Sequence, residues 1–294
     1  MHNAALGSAV VIRAPAKVNL FLDVLGKRPD GYHDIATLML AVRLFDTLVF
    51  EPHDDLRLEC SRTDLTTGAD NLIMKAARLL QEKTGCKRGA RMRLVKRIPL
   101  AAGLAGGSTD AAAALVGLNQ LWQLGCNVRE LAQWSGEIGS DIPFFFHTPA
   151  AWCTGRGEKV TDVFVHRPLD LVLVCPKVGL STADVYKNVG ALTGQQPEEG
   201  TPAICRALSA GDVGTVGKLL YNRLQPPAEK LCPQVAKWHE RLKRCGAAGQ
   251  LMSGSGSSLF ALCENRTSAE ALFEELRGEA NQEQAMLYLV RSCS

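Results

Sequence analysis

The stretch Pro99-Leu100-Ala101-Ala102-Gly103-Leu104-Ala105-Gly106-Gly107-Ser108-Thr109-Asp110 lies between a predicted strand and an alanine-rich run of helical spacing. Its glycines let backbone N–H groups turn inward and approach a ligand closely, because no Cβ blocks the way. The helix that follows adds unpaired N–H groups and the positive end of its dipole. Together these features predict an anion site suited to a triphosphate.

The same stretch has a second interpretation, in which Ser108 or Thr109 caps the helix and the glycines only form a turn. It is not a Walker loop, because no Lys-Ser/Thr pair follows the glycines, and it is not a clean GxGxxG. Taken alone, the stretch leaves both interpretations open. Because alanine tolerates only part of the φ range of glycine, we predict ordinary backbone at Ala101 and Ala102.

Strands and helices are mixed on both sides of this stretch without a regular βαβα alternation, which predicts an α+β fold. A boundary near His166-Arg167-Pro168 divides the chain into predicted domains 1–166 and 167–294, and the polar segment Gly190–Gly200 is predicted to be a mobile loop. The predicted strands are Val10–Ile12, Val18–Leu25 (separated from the first by Ala14-Pro15-Ala16), Leu44–Glu51 and Leu56–Cys60 as a pair, Arg91–Ile98, Leu171–Cys175, Leu259–Cys263 and Ala285–Arg291. The predicted helices are Asn71–Thr84, a helix through Ala111 and Trp122, Val128–Ile138, Thr201–Ala210, Val213–Leu220, Gln234–Cys245 and Ser268–Gly278.

Composition excludes several classes of protein. The 294 residues are 46% hydrophobic and 21% charged, with a net charge of +3, which is too small to indicate a nucleic-acid or membrane partner. No apolar run reaches the ~18 residues of a membrane span, and no targeting pattern opens the chain. The ten cysteines form no CxxC pair, so they predict reduced core residues rather than a zinc site. We expect a soluble, cytoplasmic protein, either a monomer or a homodimer.

Two further segments narrow the function. Pro15-Ala16-Lys17-Val18-Asn19-Leu20 lies near the N-terminus, and Leu251-Met252-Ser253-Gly254-Ser255-Gly256-Ser257-Ser258 lies near the C-terminus. In this order, and with the glycine-rich stretch between them, they resemble the GHMP kinase superfamily of galactokinase, homoserine kinase and mevalonate kinase. The resemblance implies ATP and Mg²⁺ as cofactors, a ribosomal-S5-like N-terminal domain and a ferredoxin-like C-terminal domain.

Four stretches resemble one branch of that superfamily: Ala14–Leu22, Arg28–His33, Asp70–Ile73 and Ile138–Phe145. With them the resemblance runs from about residue 11 to about residue 263. That branch acts on a cytidine diphosphate-linked methylerythritol. The resemblance therefore implies ATP-dependent phosphorylation of the 2-hydroxyl of 4-diphosphocytidyl-2-C-methyl-D-erythritol, in the non-mevalonate (MEP) route to isoprenoid precursors.

Lys17 and Asp141 match the catalytic lysine and aspartate of the family. The resemblance implies that Asp141 accepts the proton of the attacking hydroxyl, while Lys17 holds that carboxylate and stabilises charge on the transferring phosphoryl group. Without the resemblance, Asp141 reads as a helix cap and Lys17 as a solvated strand residue. Asn19 alternates with Lys17 and so lies on the same face of the strand, which favours a site there.

The remaining site residues follow from the resemblance. Tyr32, His33 and Tyr186 are implied to recognise the cytidine end of the acceptor, since aromatic rings stack on bases and histidine hydrogen-bonds their edges. The Gly254-Ser255-Gly256 turn is implied to close over the acceptor diphosphate or the γ-phosphate, and Asn19 is implied to bind the acceptor. Ser108 either contacts Mg²⁺ or caps the helix. The implied ATP-binding residues are Asn71, Lys96, Pro99, Leu100, Ala101, Ala102, Gly103, Leu104, Ala105, Gly106, Gly107, Ser108 and Thr109.

Two rivals remain at this point. One is another GHMP kinase, such as a homoserine or mevalonate kinase, which gives no reason for Gly31-Tyr32-His33 beside a cytidine site. The other is a non-enzymatic RNA-binding module on an S5-like fold, against which the near-neutral charge and the lack of a basic stripe argue.

Overall fold

The computed structural model describes residues 2–6, 9–147, 149–190 and 202–294. The strands are β1 (His2–Leu6), β2 (Ala9–Lys27), β3 (His33–His53), β4 (Leu56–Cys60), β5 (Gly89–Val95), β6 (Ala150–Gly155), β7 (Lys159–Asp162), β8 (Asp170–Cys175), β9 (Tyr221–Asn222), β10 (Gly249–Met252), β11 (Leu259–Cys263) and β12 (Met286–Arg291). The helices are α1 (Leu72–Thr84), α2 (Gly106–Leu121), α3 (Val128–Ser135), α4 (Thr182–Lys187), α5 (Ala203–Ala210), α6 (Val213–Lys218), α7 (Gln225–Leu231), α8 (Pro233–Lys243), α9 (Arg266–Gln282) and a 3₁₀-helix at Pro143–Phe146.

The chain divides into two compact units, each built from several segments. The first unit contains Met1–Ala16, Leu44–Leu100 and Ala105–Phe146, and the second contains Lys17–Arg43, Ala101–Leu104 and His147–Ser294. Strands and helices are mixed within each unit and most strand pairs are antiparallel, which confirms the α+β prediction. The predicted domain boundary between residues 166 and 167 stays a prediction.

In the first unit, helix α2 packs with α1 beside the antiparallel pair β3–β5 and the parallel pair β5–β4. Four consecutive alanines from Ala111 to Ala114 are fully buried, so neighbouring elements cover this part of the helix on most sides. At Gly117 an added Cβ would come within 2.3 Å of the Phe50 ring, so only glycine permits this close approach. These contacts hold α2 against α1 and β3.

In the second unit, β10, β11, β8 and β12 form a four-stranded antiparallel sheet in that order. Its core gathers apolar side chains from the sheet and from helices α7, α8 and α9, with Val174, Trp238 and Leu276 among them. The same unit contains the β6–β7 hairpin, which pairs with the first half of β3, and the short parallel pairing of β9 with β2. This sheet supports the chain that leads into and out of the turn at Gly254.

Two strand predictions were wrong. The break at Ala14-Pro15-Ala16 does not exist, because β2 runs through it; β1 pairs with β2 only as far as Arg13, so no bond of that ladder needs the N–H that Pro15 lacks. The predicted pairing of β4 with the Leu44–Glu51 strand is replaced by a parallel pairing of β4 with β5. The first half of β3 was missed because Ile35–Val42 is apolar except for Thr37 and is buried on both faces, so it shows no alternation.

Strands β4 and β11 have the predicted bounds, and the other predicted elements are found with shifted ends. Helix α3 ends at Ser135 rather than Ile138, because the next N–H groups bond three residues back and tighten into a turn. The short elements β6, β7, β10, α4 and α7 were missed. Of the predicted loop Gly190–Gly200, all but Gly190 lies outside the described residues.

The cysteines and helices add two observations. None of the ten cysteines is joined to another, and burial raises the pKa of the Cys175 thiol in β8 to about 12. Within the described ranges, no helix combines the length and the hydropathy that a bilayer span requires.

Candidate active site

Helix α2 begins at Gly106, within the glycine-rich stretch, and no side chain caps its N-terminus. The residue at its N-cap is Ala105, which has no side chain able to accept from the first-turn N–H groups. Neither Ser108 nor Thr109 forms a cap, so the capping interpretation does not describe this helix. A sixteen-residue helix with an uncapped N-terminus after a glycine turn is suited to bind an anion.

Two alanines of the stretch have left-handed backbone. Ala101 has a φ of 49° and Ala105 a φ of 53°, so the prediction of ordinary backbone at Ala101 was wrong, whereas Ala102 has the predicted backbone. Left-handed backbone costs an L-residue about 1–2 kcal/mol, so the surrounding structure must hold the turn. Part of that support comes from backbone bonds, in which Lys17 N donates to Leu104 O and Ser258 N donates to Ala102 O.

Lys17 lies on β2 in the second unit and is 3% exposed. Its Nζ donates to Asn19 Oδ1 at 2.6 Å and to the carbonyl of Gly103 at 2.9 Å. The two side chains share one face of β2 because residues two apart in a strand do so. The ammonium is thereby fixed against the backbone of the glycine-rich stretch.

Asn19 is itself held from its other end. Its Nδ2 donates to Thr37 Oγ1 at 2.8 Å, and that hydroxyl donates to Phe21 O at 2.6 Å. The side-chain oxygen of Asn19 therefore faces Lys17 in one orientation only. This chain of bonds fixes the rotamers at the predicted catalytic lysine.

The turn at Gly254 approaches the same point of the glycine-rich stretch. Ser253 Oγ donates to Gly103 O at 2.9 Å, and an added Cβ at Gly103 would lie 2.0 Å from Ser253 O. At Gly254 an added Cβ would lie 3.2 Å from Gly103 O and 3.3 Å from Lys17 Nζ. Asn222 Nδ2 donates to Gly254 O at 2.8 Å, and so fixes the turn from behind. The structure thus brings the three predicted motif residues Lys17, Gly103 and Gly254 together.

Ser255 and Gly256 lie at the outer part of this turn. The hydroxyls of Ser255 and Thr182 hydrogen-bond at 2.8 Å, which ties the turn to α4. Gly256 has a φ of 88° and donates its N–H to Ser253 O. The positive φ explains the glycine at this position.

A second buried ammonium, Lys96, lies in the first unit directly after β5. Its Nζ donates to Asp110 Oδ2 at 2.7 Å and to Asp46, and the side chain is 1% exposed. Burial is the largest cause that raises the pKa of Asp110; Lys96 lowers it and the Asp46 carboxylate raises it. Lys96 was predicted to bind the nucleotide, and the structure places its charge between two carboxylates.

Two polar atoms of the first turns of α2 are buried without a partner. They are Thr109 Oγ1 and Asp110 Oδ1. An unsatisfied buried polar group costs about 1–3 kcal/mol, so such atoms concentrate where a ligand or water completes the site.

The residues predicted to bind the acceptor substrate form two ring contacts in the second unit. The rings of His33 and Tyr186 lie 5.0 Å apart at an angle of 33°. Burial, and then the charge of Lys27, lower the pKa of His33. Tyr32 is 54% exposed, and the guanidinium of Arg156 lies 5.0 Å from its ring centre. These rings offer stacking surfaces to a base.

Three further predicted site residues lie in a turn or at the start of a helix. Asp141 lies half-buried in the turn between α3 and the 3₁₀-helix, and no hydrogen bond or ion pair within the described residues engages its carboxylate. Asn71 caps α1, with its Oδ1 accepting from Ile73 N at 2.9 Å and its Nδ2 donating to Thr66 O at 2.7 Å. Ser108 is half-buried in the first turn of α2. Their roles toward ligands stay predictions.

Sequence analysis missed several residues that complete these groups: Thr37, Asp46, Asp110, Arg156, Asn222 and Ser253. Asp46 had a visible signal, because it is the only charged residue in the apolar run Leu44–Phe50. Asp110 ended the quoted stretch but received no role. Ser253 lay within the quoted segment Leu251–Ser258 and likewise received no role. Thr37, Arg156 and Asn222 carry no pattern of their own, since their partners lie far away along the chain.

Comparison with known proteins bears on the identity of this site. Two family models match, the GHMP kinases N terminal domain at residues 71–148 and the GHMP kinases C terminal at residues 202–282. A protein of Symbiobacterium thermophilum named 4-diphosphocytidyl-2-C-methyl-D-erythritol kinase is 44% identical over 267 residues, which are 90% of this chain and 95% of that protein. A protein of the same name from Exiguobacterium sibiricum is 40% identical over 284 residues, covering 96% and 97%.

A solved structure agrees with these relatives. The crystal structure of a 4-(cytidine 5'-diphospho)-2C-methyl-D-erythritol kinase superposes with a TM-score of 0.78 at 34% identity, covering 97% of this chain and 99% of that one. The match spans both units, and the kinase fold with its N- and C-terminal GHMP domains is therefore confirmed. The glycine-rich stretch, the Lys17 motif and the Gly254 turn were the features that predicted it. This chain belongs to the GHMP kinases, in the family of the 4-diphosphocytidyl-2-C-methyl-D-erythritol kinases.

Proposed function

We propose that the protein phosphorylates the 2-hydroxyl of 4-diphosphocytidyl-2-C-methyl-D-erythritol with ATP, in the non-mevalonate (MEP) pathway. The observation that carries the proposal is the Lys17 ammonium, buried and held at 2.9 Å on the Gly103 carbonyl of the glycine-rich stretch. A fixed cation beside a phosphate-binding turn can stabilise charge that develops on a transferring phosphoryl group. The names of the relatives supply the acceptor.

The proposed chemistry is an in-line displacement. The acceptor oxygen forms a bond to the γ-phosphorus while the bond to the bridging oxygen of ADP breaks, and the hydroxyl proton passes to the Asp141 carboxylate. Lys17 stabilises the negative charge on the transferring group. The transition state is largely dissociative and needs little early deprotonation, so a carboxylate is a sufficient base.

The residues present fit ATP. The uncapped first turn of α2 offers N–H groups to the phosphates, and Gly107 is exposed there without a side chain. Thr109 has a buried hydroxyl without a partner, and Ala101 and Ala105 have left-handed backbone. Packing alone does not account for these features, which supports a ligand site at this turn. We assign ATP to Pro99–Thr109, with Asn71 as a further predicted contact.

We further propose Mg²⁺ as the companion of ATP. Within the described ranges, no cluster of three or more His, Cys, Asp or Glu side chains could hold a metal ion. Magnesium keeps several waters and binds through substrate phosphates and one or two protein oxygens, so a dedicated cage is not needed. Ser108, in the first turn of α2, is the predicted protein ligand, and the ion supplies neutralisation of phosphate charge.

Acceptor recognition is assigned to the second unit. The rings of His33, Tyr186 and Tyr32 suit the cytosine base, and Asn19 with Gly254-Ser255-Gly256 suits the diphosphate. We keep a small-molecule acceptor, a cytoplasmic location, the absence of nucleic-acid and membrane partners, and a monomer or homodimer as predictions.

The test is a coupled assay of ADP release with three acceptors: the cytidyl methylerythritol, homoserine and mevalonate. We expect turnover only with the first, above the ATPase rate without acceptor. Turnover of homoserine or mevalonate in place of the cytidyl compound would identify another GHMP kinase activity. Salt-dependent RNA binding with no kinase activity would instead support the non-enzymatic rival.

A further inference from the structure

The charged triad Lys96, Asp46 and Asp110 is buried in the first unit and is not needed by the chemistry proposed above. Its side chains are 1%, 0% and 3% exposed, and Lys96 Nζ donates to both carboxylates. Among the described residues of the first unit, the other ion pairs of Arg and Lys, such as Arg91–Glu59, lie at the surface. In that part of the chain, the triad differs from the other ion pairs in its complete burial.

The triad joins three elements at the beginning of α2. Asp46 is on β3, and its Oδ1 accepts the backbone N–H groups of Arg97 and Ile98, which lead from β5 toward the glycine-rich stretch. Asp110 is on the second turn of α2. A strand, the approach to the phosphate turn and the helix are thus connected through one ammonium.

The ammonium lies directly under the first residue of the helix. An added Cβ at Gly106 would come within 2.8 Å of Lys96 Nζ and 3.0 Å of Ile98 Cγ2. The helix N-terminus can rest on Lys96 only because residue 106 has no side chain. The ammonium is thus in close contact with the first turn, which carries the uncapped N–H groups.

We propose that Lys96, Asp46 and Asp110 are positioning residues, which fix the first turn of α2 for the phosphates of ATP and do not touch the nucleotide. Buried ion groups are often replaceable by apolar residues without loss of stability, so their value here is geometric. A misplacement of about 1 Å can cost 10²-fold when a site depends on alignment. The proposal rests on ATP use by this kinase family and on no particular acceptor.

The test is equilibrium binding of ATP, inorganic tripolyphosphate and adenosine to the full chain, measured by calorimetry without acceptor. Asp110→Ala removes one acceptor of Lys96 and leaves the Lys96–Asp46 pair balanced in charge. We expect ATP and tripolyphosphate to weaken by the same factor, about tenfold or more, with adenosine binding unchanged. Asp110→Asn should restore both, because its amide oxygen can still accept from Lys96.

Arg91→Met is the matched control, since it removes a cation of β5 that pairs with Glu59 at the surface. It should leave all three affinities unchanged. Lys96→Met is the second variant, and it should weaken ATP and tripolyphosphate alike. A loss confined to adenosine would make Lys96 a direct contact of the nucleoside and overturn the proposal, as would unchanged phosphate affinity in Asp110→Ala.

Failure of the inference and failure of the proposed function give different results. If the wild-type chain binds ATP but phosphorylates another acceptor, the assignment of the substrate fails while the binding comparison still decides the role of the triad. If Lys96→Met does not fold, Asp110→Ala and Asp110→Asn decide it. If the wild-type chain binds neither ATP nor tripolyphosphate, both proposals fall.

Discussion

Two buried lysines of this kinase have different partners. Lys17, in the second unit, donates to the side-chain oxygen of Asn19 and to the backbone carbonyl of Gly103. Lys96, in the first unit, donates to two carboxylates. Lys17 lies on β2 and Lys96 directly follows β5, and both side chains lie beside the glycine-rich stretch. Burial alone does not distinguish the two lysines.

We infer different roles for the two lysines from their different partners. The bond from Lys17 to Gly103 fixes its ammonium on the glycine-rich stretch, where it can act on a charged ligand. The two carboxylates at close range neutralise the charge of Lys96, so its contribution is geometric. We therefore expect substitution at Lys17 to affect the reaction, and substitution at Lys96 to affect stability and alignment.

The largest expected effect concerns the base that acts with Lys17. Asp141→Asn should lower kcat by ~10²–10⁴, the usual contribution of a general base, while leaving ATP affinity unchanged. The measurement is steady-state ADP release together with calorimetric ATP binding. Asp64→Asn, at an exposed surface pair with Arg62, is the control and should keep full activity.

An unchanged kcat in Asp141→Asn would remove this residue from the mechanism. A fall in the free energy of unfolding with normal turnover would instead support a capping role. Because asparagine has nearly the same shape as aspartate, this substitution separates the two outcomes with the least disturbance of the turn.

Lys17→Met should lower kcat by ~10²–10³, the loss expected when one preorganised donor to a developing charge is removed. The carbonyl of Gly103 keeps its bond from Ser253 Oγ, so the turn should persist. We expect a small change in the urea midpoint. A large fall in stability with normal kcat would show that the two lysines do not differ as stated.

Lys96→Met should lower the free energy of unfolding by about 3–5 kcal/mol, because it leaves two buried carboxylates facing each other without a cation. Urea denaturation measures this loss. Arg91→Met should cost about 0–1 kcal/mol, since its pair with Glu59 is exposed and screened. Equal losses in the two variants would mean that burial of the triad is incidental.

The sequence predicted the local parts of this comparison. The face shared by Lys17 and Asn19 follows from the period of a strand, and the 2.6 Å bond between them confirms it. The start of α1 follows from Asn71, whose side chain accepts from the backbone two residues on. Local rules suffice where a residue and its partner are close in the chain.

The same rules could not find the partners of Lys96. Asp46 lies fifty positions before it, and only the packing of α2 against the sheet brings Asp110 to the same ammonium. Pro15 misled the strand prediction because the sequence does not show where the ladder of β1 ends. Tertiary context, rather than propensity, decides each of these points.

Gly103→Ala should lower the free energy of unfolding by more than the about 1–2 kcal/mol that left-handed backbone costs an L-residue. Its φ is 74°, and the new Cβ would also meet Ser253 O at 2.0 Å. Gly246→Ala is the matched control, because its φ is 64° and nothing lies within 4 Å. The excess loss at Gly103 measures the close contact with the Gly254 turn, and equal losses would refute it.

The smallest expected effect is a pH dependence at His33, in the same unit as Lys17. Burial and the charge of Lys27 lower the pKa of His33 below its ordinary value of 6.5, so the folded protein binds this proton less readily than the unfolded chain. Its contribution to stability is therefore complete above pH 6.5 and declines as the pH falls through the lowered pKa. A protonated ring also has no free acceptor for the base, so the KM for the cytidyl acceptor should rise between pH 8 and 5.5 while the KM for ATP stays level. His33→Gln should remove the slope, and a slope that persists would assign the titration to another group.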